Sequence, residues 1–331
     1  MSIHAPYLMF LGDAPDQLAA KTASGVVHWR PERCLGQLKL DNCHADLGLE
    51  DMTLEQAWEK GAKTLIIGVA NRGGIISDQW LATLSRALDL GFHIASGLHN
   101  RLRDIKELTD KANDLGRQLI DVRHPTENFP IATGVKRTGK RLLPVGTDCS
   151  VGKMYTALAI ENEMKDRGFD VDFRATGQTG IFIAGDGVSV DAVVADFISG
   201  ATEGLSPDND PGHWDIIEGQ GSLFHASFAG VSMGLLHGAQ ADALVMCHEP
   251  TRTHMRGLPG YALPDIKDCI ELNERAARLT NPDARVIGLS VNTHALGDGA
   301  LDYLKKLEDQ YGMPAVDPVK TGVGPLVDAL P

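Results

Sequence analysis

The segment "LLPVGTDCSVGKMYTAL", residues 142–158, constrains the fold more than any other part of the chain. Leu142 to Val145 is a short apolar run of strand character, and from Tyr155 onward the pattern is helical. Between them, Gly146, Thr147, Asp148, Cys149, Ser150, Val151, Gly152 and Lys153 must carry the chain from strand to helix. Such a turn aims backbone N–H groups outward, where they cradle phosphate oxygens while the lysine adds a point charge. Loops of this kind usually follow their lysine with Ser or Thr, whose hydroxyl holds Mg²⁺. Here that position is Met154, and a thioether does not ligate a hard cation. The phosphate cradle is present and the magnesium hydroxyl is missing.

A strand–loop–helix unit needs neighbouring strands, and the chain supplies them on both sides. Upstream, "YLMFLG" (7–12) and "TLIIGVA" (64–70) read as buried strands and "DQLAAKTA" (16–23) as a helix. "SDQWLATLSRALDLG" (77–91) reads as a helix with a Ser cap and a terminal Gly. "FHIASG", a helix over 103–115 and "QLIDVR" continue the alternation. Downstream, "FDVDFRATG" (169–177), "HWDIIEGQG" (213–221), "ADALVMCHEP" (241–250) and "ARVIGLSVN" (284–292) read as further parallel strands. The fold class is therefore α/β with two domains: a Rossmann-like N-terminal parallel sheet over 1–138 and a P-loop NTPase-like parallel sheet over 139–331. The join falls in "HPTENFPIATGVKRTGK" (124–140), which carries prolines and glycines with little periodicity. The turn "GVANRGGIIS" (68–77) has Gly73 and Gly74 but does not complete G-x-G-x-x-G.

Composition removes several classes of function. Lys plus Arg is 31 against 44 Asp plus Glu, a formal net charge of −13, with no basic block. That balance argues against nucleic acid and anionic membranes as partners, so an anionic ligand must be held by a local cradle. The five cysteines are scattered without a C-x-x-C pair, which indicates neither a disulfide framework nor a zinc knuckle. "MSIHAPYLMFLGDAP" lacks a basic start, and no apolar stretch reaches membrane-spanning length. A cytoplasmic homodimer or higher homo-oligomer is the expectation.

Four strand-end segments carry the remaining candidates. Asp215-Ile-Ile-Glu218-Gly-Gln-Gly221 ends an apolar strand in a carboxylate before a glycine turn, where open α/β sheets gather ligand-facing groups. Downstream, His225 is a second candidate base beside Glu218. "RATGQTGIFIAGDG" (174–187) offers Arg174, Thr176, Gln178 and Thr179 to an oxyanion or carboxylate, and Asp186 as an acid. "CHEPTRTHMRG" (247–257) offers Arg252 and Arg256, whose guanidinium forks match carboxylates. Its His248 and His254 lie across Pro250, off the usual ligand spacing, so no metal is expected. "ASGLHNRL" (95–102) also ends a strand and offers His99.

Gly-Thr-Asp-x-x-Val-Gly-Lys resembles the loop of dethiobiotin synthetase and its P-loop relatives. In that resemblance Asp215 to Gly221 stands for the second acidic motif, and Asn292, ending "VIGLSVN", for the residue that reads the adenine edge. Three readings compete: ATP-dependent ligation or phosphoryl transfer, a non-catalytic nucleotide-binding protein, and an enzyme whose substrate carries phosphates that are never attacked. Coenzyme A suits the third, because its reaction occurs far from its phosphates. The Rossmann-like half, "GTDCSVGKM", "DIIEGQGSL" and "HEPTR" together resemble a family that includes D-glutamate (D-amino-acid) N-acetyltransferases. The resemblance implies acetyl-CoA as co-substrate and a small amino acid as acceptor. Glu218 or His225 would then be the base, residues 146–153 and Asn292 would hold the coenzyme, and Arg174, Thr176, Gln178, Thr179, Arg252 and Arg256 would meet the acceptor.

Overall fold

The computed structural model describes residues 2–69 and 76–331. The glycine pair at 73–74 lies outside the described residues. Contacts divide the chain into two compact units. The first comprises residues 1–126 and 177–192, the second 127–176 and 193–331.

The first unit is a five-stranded parallel sheet. Its elements are β1 (Tyr7–Gly12), α1 (Lys21–Trp29), β2 (Cys34–Lys39), α2 (Leu54–Glu59), β3 (Thr64–Ile67), α3 (Asp78–Leu90), β4 (His93–Ser96), α4 (Lys106–Asp114) and β5 (Leu119–Asp121). The strand order is β2-β1-β3-β4-β5. β1 and β3 are buried along their whole length, as strands covered on both faces must be, which is why they read as continuous apolar runs. α3 has the ends its sequence predicts. The Ser77 hydroxyl accepts from the Trp80 N–H at 3.3 Å, and Gly91 closes the helix at φ 113°.

Two elements depart from the sequence reading. The helix expected over 16–23 begins only at Lys21, because the Asp16 carboxylate accepts from the Ala19 N–H at 2.8 Å and holds a separate turn. β2 was not anticipated: it is a half-buried edge strand whose "CLGQLK" has neither a long apolar run nor clean alternation.

The second unit is a six-stranded parallel sheet. It is built from β6 (Lys140–Gly146), α5 (Lys153–Asp166), β7 (Val171–Arg174), α7 (Ile198–Leu205), β8 (Trp214–Ile217), α8 (Ala229–Ala239), β9 (Ala243–His248), α9 (Ile266–Ala277), β10 (Arg285–Val291), α10 (Ala300–Tyr311), β11 (Ala315–Val316) and α11 (Gly324–Asp328). Its strand order is β11-β10-β9-β6-β8-β7. The chain runs from β6 outward to β7 and β8 on one side, then crosses to β9, β10 and β11 on the other. The order therefore reverses at β6/β9, the place where open parallel sheets bind ligands beyond their strand ends.

Helix α6 (Gln178–Ala184) belongs to the first unit, although it lies in the chain between β7 and α7. There the Ile3 N–H donates to the Gly185 carbonyl at 2.7 Å, and Arg33 Nη1 donates to the Ala184 carbonyl at 2.7 Å. Conversely, residues 127–138 group with the second unit. Thr133 and Gly134 donate backbone N–H bonds to the Glu203 carboxylate at 2.8 and 3.0 Å, and Arg137 donates to the Gly238 carbonyl at 2.7 Å.

One glycine fixes how β8 leaves the sheet beside β6. A Cβ at Gly219 would sit 1.8 Å from the Pro144 carbonyl oxygen, a backbone atom that cannot swing away. Gly219→Ala should lower stability by about 1–3 kcal/mol through forced backbone displacement. Thermal unfolding checks this against Gly230→Ala, where an added Cβ meets nothing within 4 Å.

Candidate functional site

The glycine-bounded loop lies at the β6/β9 reversal. The Thr147 N–H donates to the Cys247 carbonyl of β9 at 3.0 Å, tying the loop to the neighbouring strand. Ser150 and Gly152 take left-handed backbone angles, φ 53° and 102°, and α5 starts directly afterwards with no side-chain cap. Its first N–H groups are thus left without the usual Ser, Thr, Asp or Asn oxygen. Lys153 is 6% exposed, and its Nζ donates to the Asp148 carbonyl at 2.9 Å. Burial pushes the Lys153 pKa down. Gly146 gives the lysine its space: a Cβ there would lie 3.1 Å from Lys153 Nζ and 2.9 Å from Val151 Cγ2.

The loop's shape is held by an ion pair that the sequence does not announce. Asp148 is fully buried, and its carboxylate accepts from the Cys149 N–H at 2.6 Å, Arg252 Nη1 at 2.6 Å and the Arg256 N–H at 2.8 Å. Arg252, in the loop after β9, spreads the rest of its guanidinium over the same backbone. It donates to the Cys149 carbonyl at 2.6 Å, the Ser150 carbonyl at 2.7 Å and the Glu249 carboxylate at 2.9 Å. Arg252 was expected to meet a substrate carboxylate, but the bonds drawn from its guanidinium go to the chain itself. Arg174 is placed similarly, donating to Asp215 at 2.7 Å and Asp172 at 3.2 Å. Arg256 differs. Its backbone is anchored, while its exposed guanidinium has no ion pair or hydrogen bond among the described residues.

Glu218 follows β8 and is buried beside the end of β7. Its Oε2 accepts from the Thr176 N–H at 2.9 Å, and the Thr176 hydroxyl donates to its carbonyl at 2.6 Å. Gln220 Nε2 then donates to that hydroxyl at 3.2 Å. His225 is buried and stacked on Phe228. Its Nε2–H donates to the Arg256 carbonyl at 2.9 Å, which leaves Nδ1 to accept from the Ser227 N–H at 3.2 Å. Asn292 lies just past β10 with its side chain exposed, and its Oδ1 accepts from the His294 N–H at 3.2 Å. Gln178 and Thr179 open α6 in the first unit, which also holds Asp186, just beyond that helix, and the exposed His99 after β4.

Sequence reading missed one neighbour of the loop, Ser222, and gave another, His248, no role there. The Ser222 hydroxyl donates to the Thr147 carbonyl at 3.2 Å, and Thr147 Oγ1 lies 3.1 Å from His248 Nδ1. Both are buried polar groups at strand ends, a signal visible only once the strands are aligned. Potential ligand atoms of Asp148, Cys149 and His225 fall within 4.8 Å of one another. The Asp148 carboxylate is already neutralised by Arg252, and His225 Nε2 carries the proton its carbonyl partner requires. This donor set fits an internal ion-pair network better than a cation site.

The geometry is that of a two-unit α/β protein, one unit Rossmann-like and the other built on a phosphate loop. Residues 39–125 match the model of the DUF1611_N Rossmann-like domain and residues 130–327 that of the DUF1611_C P-loop domain, each described as a domain of unknown function. The chain belongs to the DUF1611 family. It is 59% identical over 329 residues to a D-glutamate N-acetyltransferase of Tritonibacter scottomollicae, and 51% identical over 328 residues to one of Pseudoalteromonas sp.. Each alignment covers 99% of both chains. The crystal structure of a DUF1611 family protein from Anabaena variabilis matches with a TM-score of 0.81 at 30% identity, over 98% of this chain and 99% of that one.

Removing the Arg252 guanidinium strips the buried Asp148 carboxylate of its ion-pair partner and frees two loop carbonyls. Arg252→Ala should cost about 3 kcal/mol of stability. Arg252→Lys should recover only part of it, since one ammonium cannot span the same acceptors. Chemical denaturation of the three proteins reads both effects.

Proposed function

We propose that this protein is an N-acetyltransferase that moves the acetyl group of acetyl-CoA to the amino group of D-glutamate, giving N-acetyl-D-glutamate. The observation that carries the reading is full-length identity of 59% and 51% to two proteins named for that activity. The phosphate loop supports coenzyme A as the donor. It combines an uncapped helix start, a buried lysine and the exposed Arg256 guanidinium with Met154 where a magnesium hydroxyl would stand. These groups suit phosphates that are bound and not attacked, and Asn292 is the candidate for the adenine edge.

In the reaction the acceptor ammonium first loses a proton to a carboxylate or imidazole. The amine nitrogen then bonds to the acetyl carbon, the carbon–sulfur bond breaks, and coenzyme A leaves as a thiolate that takes up a proton. Glu218 and His225 are the candidates for the base. Glu218 accepts from the Thr176 N–H, and both His225 ring nitrogens bond to the chain. Thr176 then orients Glu218 through its N–H and hydroxyl.

Mass spectrometry of the pure protein with acetyl-CoA and a panel of D- and L-amino acids tests the reading. N-Acetyl-D-glutamate should dominate the products, and EDTA should leave the rate unchanged. Product formation that requires ATP and Mg²⁺ would instead favour a ligase. Lys153→Ala should raise the KM for acetyl-CoA about 10- to 100-fold, from loss of a charge-assisted contact of about 1.5–3 kcal/mol, with little change in the KM for D-glutamate.

Lys153 also sets a pH dependence. Its folded pKa lies below the ordinary 10.5 because burial disfavours the charged form, and only that form attracts phosphate. Coenzyme A affinity should therefore fall as pH rises, with a midpoint below 10.5. Lys153→Met should bind weakly and lose this alkaline limb. Calorimetric titration across pH distinguishes the two profiles.

A further inference from the structure

The first unit carries a cleft that the phosphate-loop chemistry does not use. It is open, about 640 Å³ in volume, and lies at the C-terminal edge of the parallel sheet, where Ile76 meets the segments after β4 and β5. Ile76, Asn100, Arg101, Asp104, Ile105 and His124 line it. That volume is in the range of small-molecule sites.

The walls are fixed from behind. Asp121, buried at the end of β5, accepts from the Leu102 N–H at 2.7 Å and from Arg103 Nε at 3.0 Å. This holds the 101–104 turn in place and occupies Arg103. His124 Nε2–H donates to the His99 carbonyl at 3.0 Å, joining the segments after β4 and β5. With the proton on Nε2, the neutral ring presents Nδ1 as an acceptor.

Against this fixed frame stand two opposite charges that do not meet. The Arg101 guanidinium and the Asp104 carboxylate line the same cleft, yet neither makes an ion pair or side-chain hydrogen bond, with each other or elsewhere among the described residues. Arg103, Arg174 and Arg252, by contrast, are each paired with an acid. A separated cation and anion, an imidazole acceptor, a carboxamide and two isoleucines complement one ligand class: an α-amino acid zwitterion whose side chain is a short methylene run with a polar end.

We propose that this cleft is the protein's amino-acid subsite. Arg101 takes a carboxylate as a bidentate fork, and Asp104 with His124 Nδ1 receives the ammonium. Asn100 serves a further polar group, and Ile76 and Ile105 pack the methylenes. The inference deepens the proposed function, and it rests on that reading only for the choice of D-glutamate as ligand.

Calorimetry on the full chain, with no acetyl-CoA present, tests it using D-glutamate, glutarate and a panel of D- and L-amino acids. Arg101→Gln should weaken D-glutamate at least tenfold. Asp104→Asn should weaken D-glutamate while leaving glutarate, which lacks the ammonium, unchanged or tighter. A general folding defect would not separate those two ligands. Coenzyme A affinity should be the same in all three proteins. Equal amino-acid affinity in wild type and both variants, or no amino acid bound by the wild type, overturns the proposal. Acetyl-transfer assays run in parallel separate the two ideas. Amino acid bound through Arg101 without acetyl transfer sinks the proposed function alone. Normal transfer with an unchanged KM for D-glutamate in Arg101→Gln sinks the subsite alone.

Discussion

The second unit's site depends on the pairing of Asp148 with Arg252. A glycine-containing loop that aims its N–H groups at a ligand gives up the bonds that would otherwise hold it, and two of its residues adopt left-handed angles. The Asp148–Arg252 pair replaces those bonds: one loop carboxylate gathers two backbone N–H groups, and one guanidinium from outside the loop gathers two backbone carbonyls. Its net energy is modest once desolvation is counted, but its geometric effect is large. A cradle set in this way would meet an anion with little ordering cost.

Sheet topology places this pair where it can act. β6 carries the loop and β9 carries Arg252, and the two strands are neighbours only because the chain reverses direction across the sheet between them. Thr147 bonded to the Cys247 carbonyl shows the same adjacency in the backbone. Glu218 arrives from the other neighbour of β6, at the end of β8, and Gly219 permits the approach because no side chain fits beneath the Pro144 carbonyl. Three segments far apart in sequence converge through parallel pairing alone.

Much of the fold was legible in the sequence, and the rest was not, for physical reasons. Buried parallel strands and the capped α3 announce themselves through local pattern, since burial on both faces demands continuous apolar runs and a helix end demands its cap. The phosphate loop is local as well. β2 escaped because an edge strand needs little apolar surface, and the start of α1 because the Asp16 turn competes with the helix. At the site, residue types were read correctly as charged and strand-terminal, but their partners are set by tertiary pairing. Arg252 and Arg174 look like ligand arginines by position, and each is bound to an acid brought from another segment. Arg101 was passed over beside His99, because nothing local marks a guanidinium that folding leaves unpaired.

That last property matters in a protein of net charge −13. The overall field disfavours anions, so recognition has to come from cations that folding has not already paired with the excess acids. With 44 acidic groups against 31 cations, a guanidinium without a partner at a strand-end cleft is the exception that needs a reason. Arg256 beside the phosphate loop and Arg101 in the first unit's cleft are both of this kind among the described residues. The one stands next to a cradle for phosphate. The other stands opposite an equally unpaired carboxylate, and a simple anion would satisfy only half of that arrangement. A ligand that carries both signs satisfies all of it, which is the chemical definition of an amino acid at neutral pH.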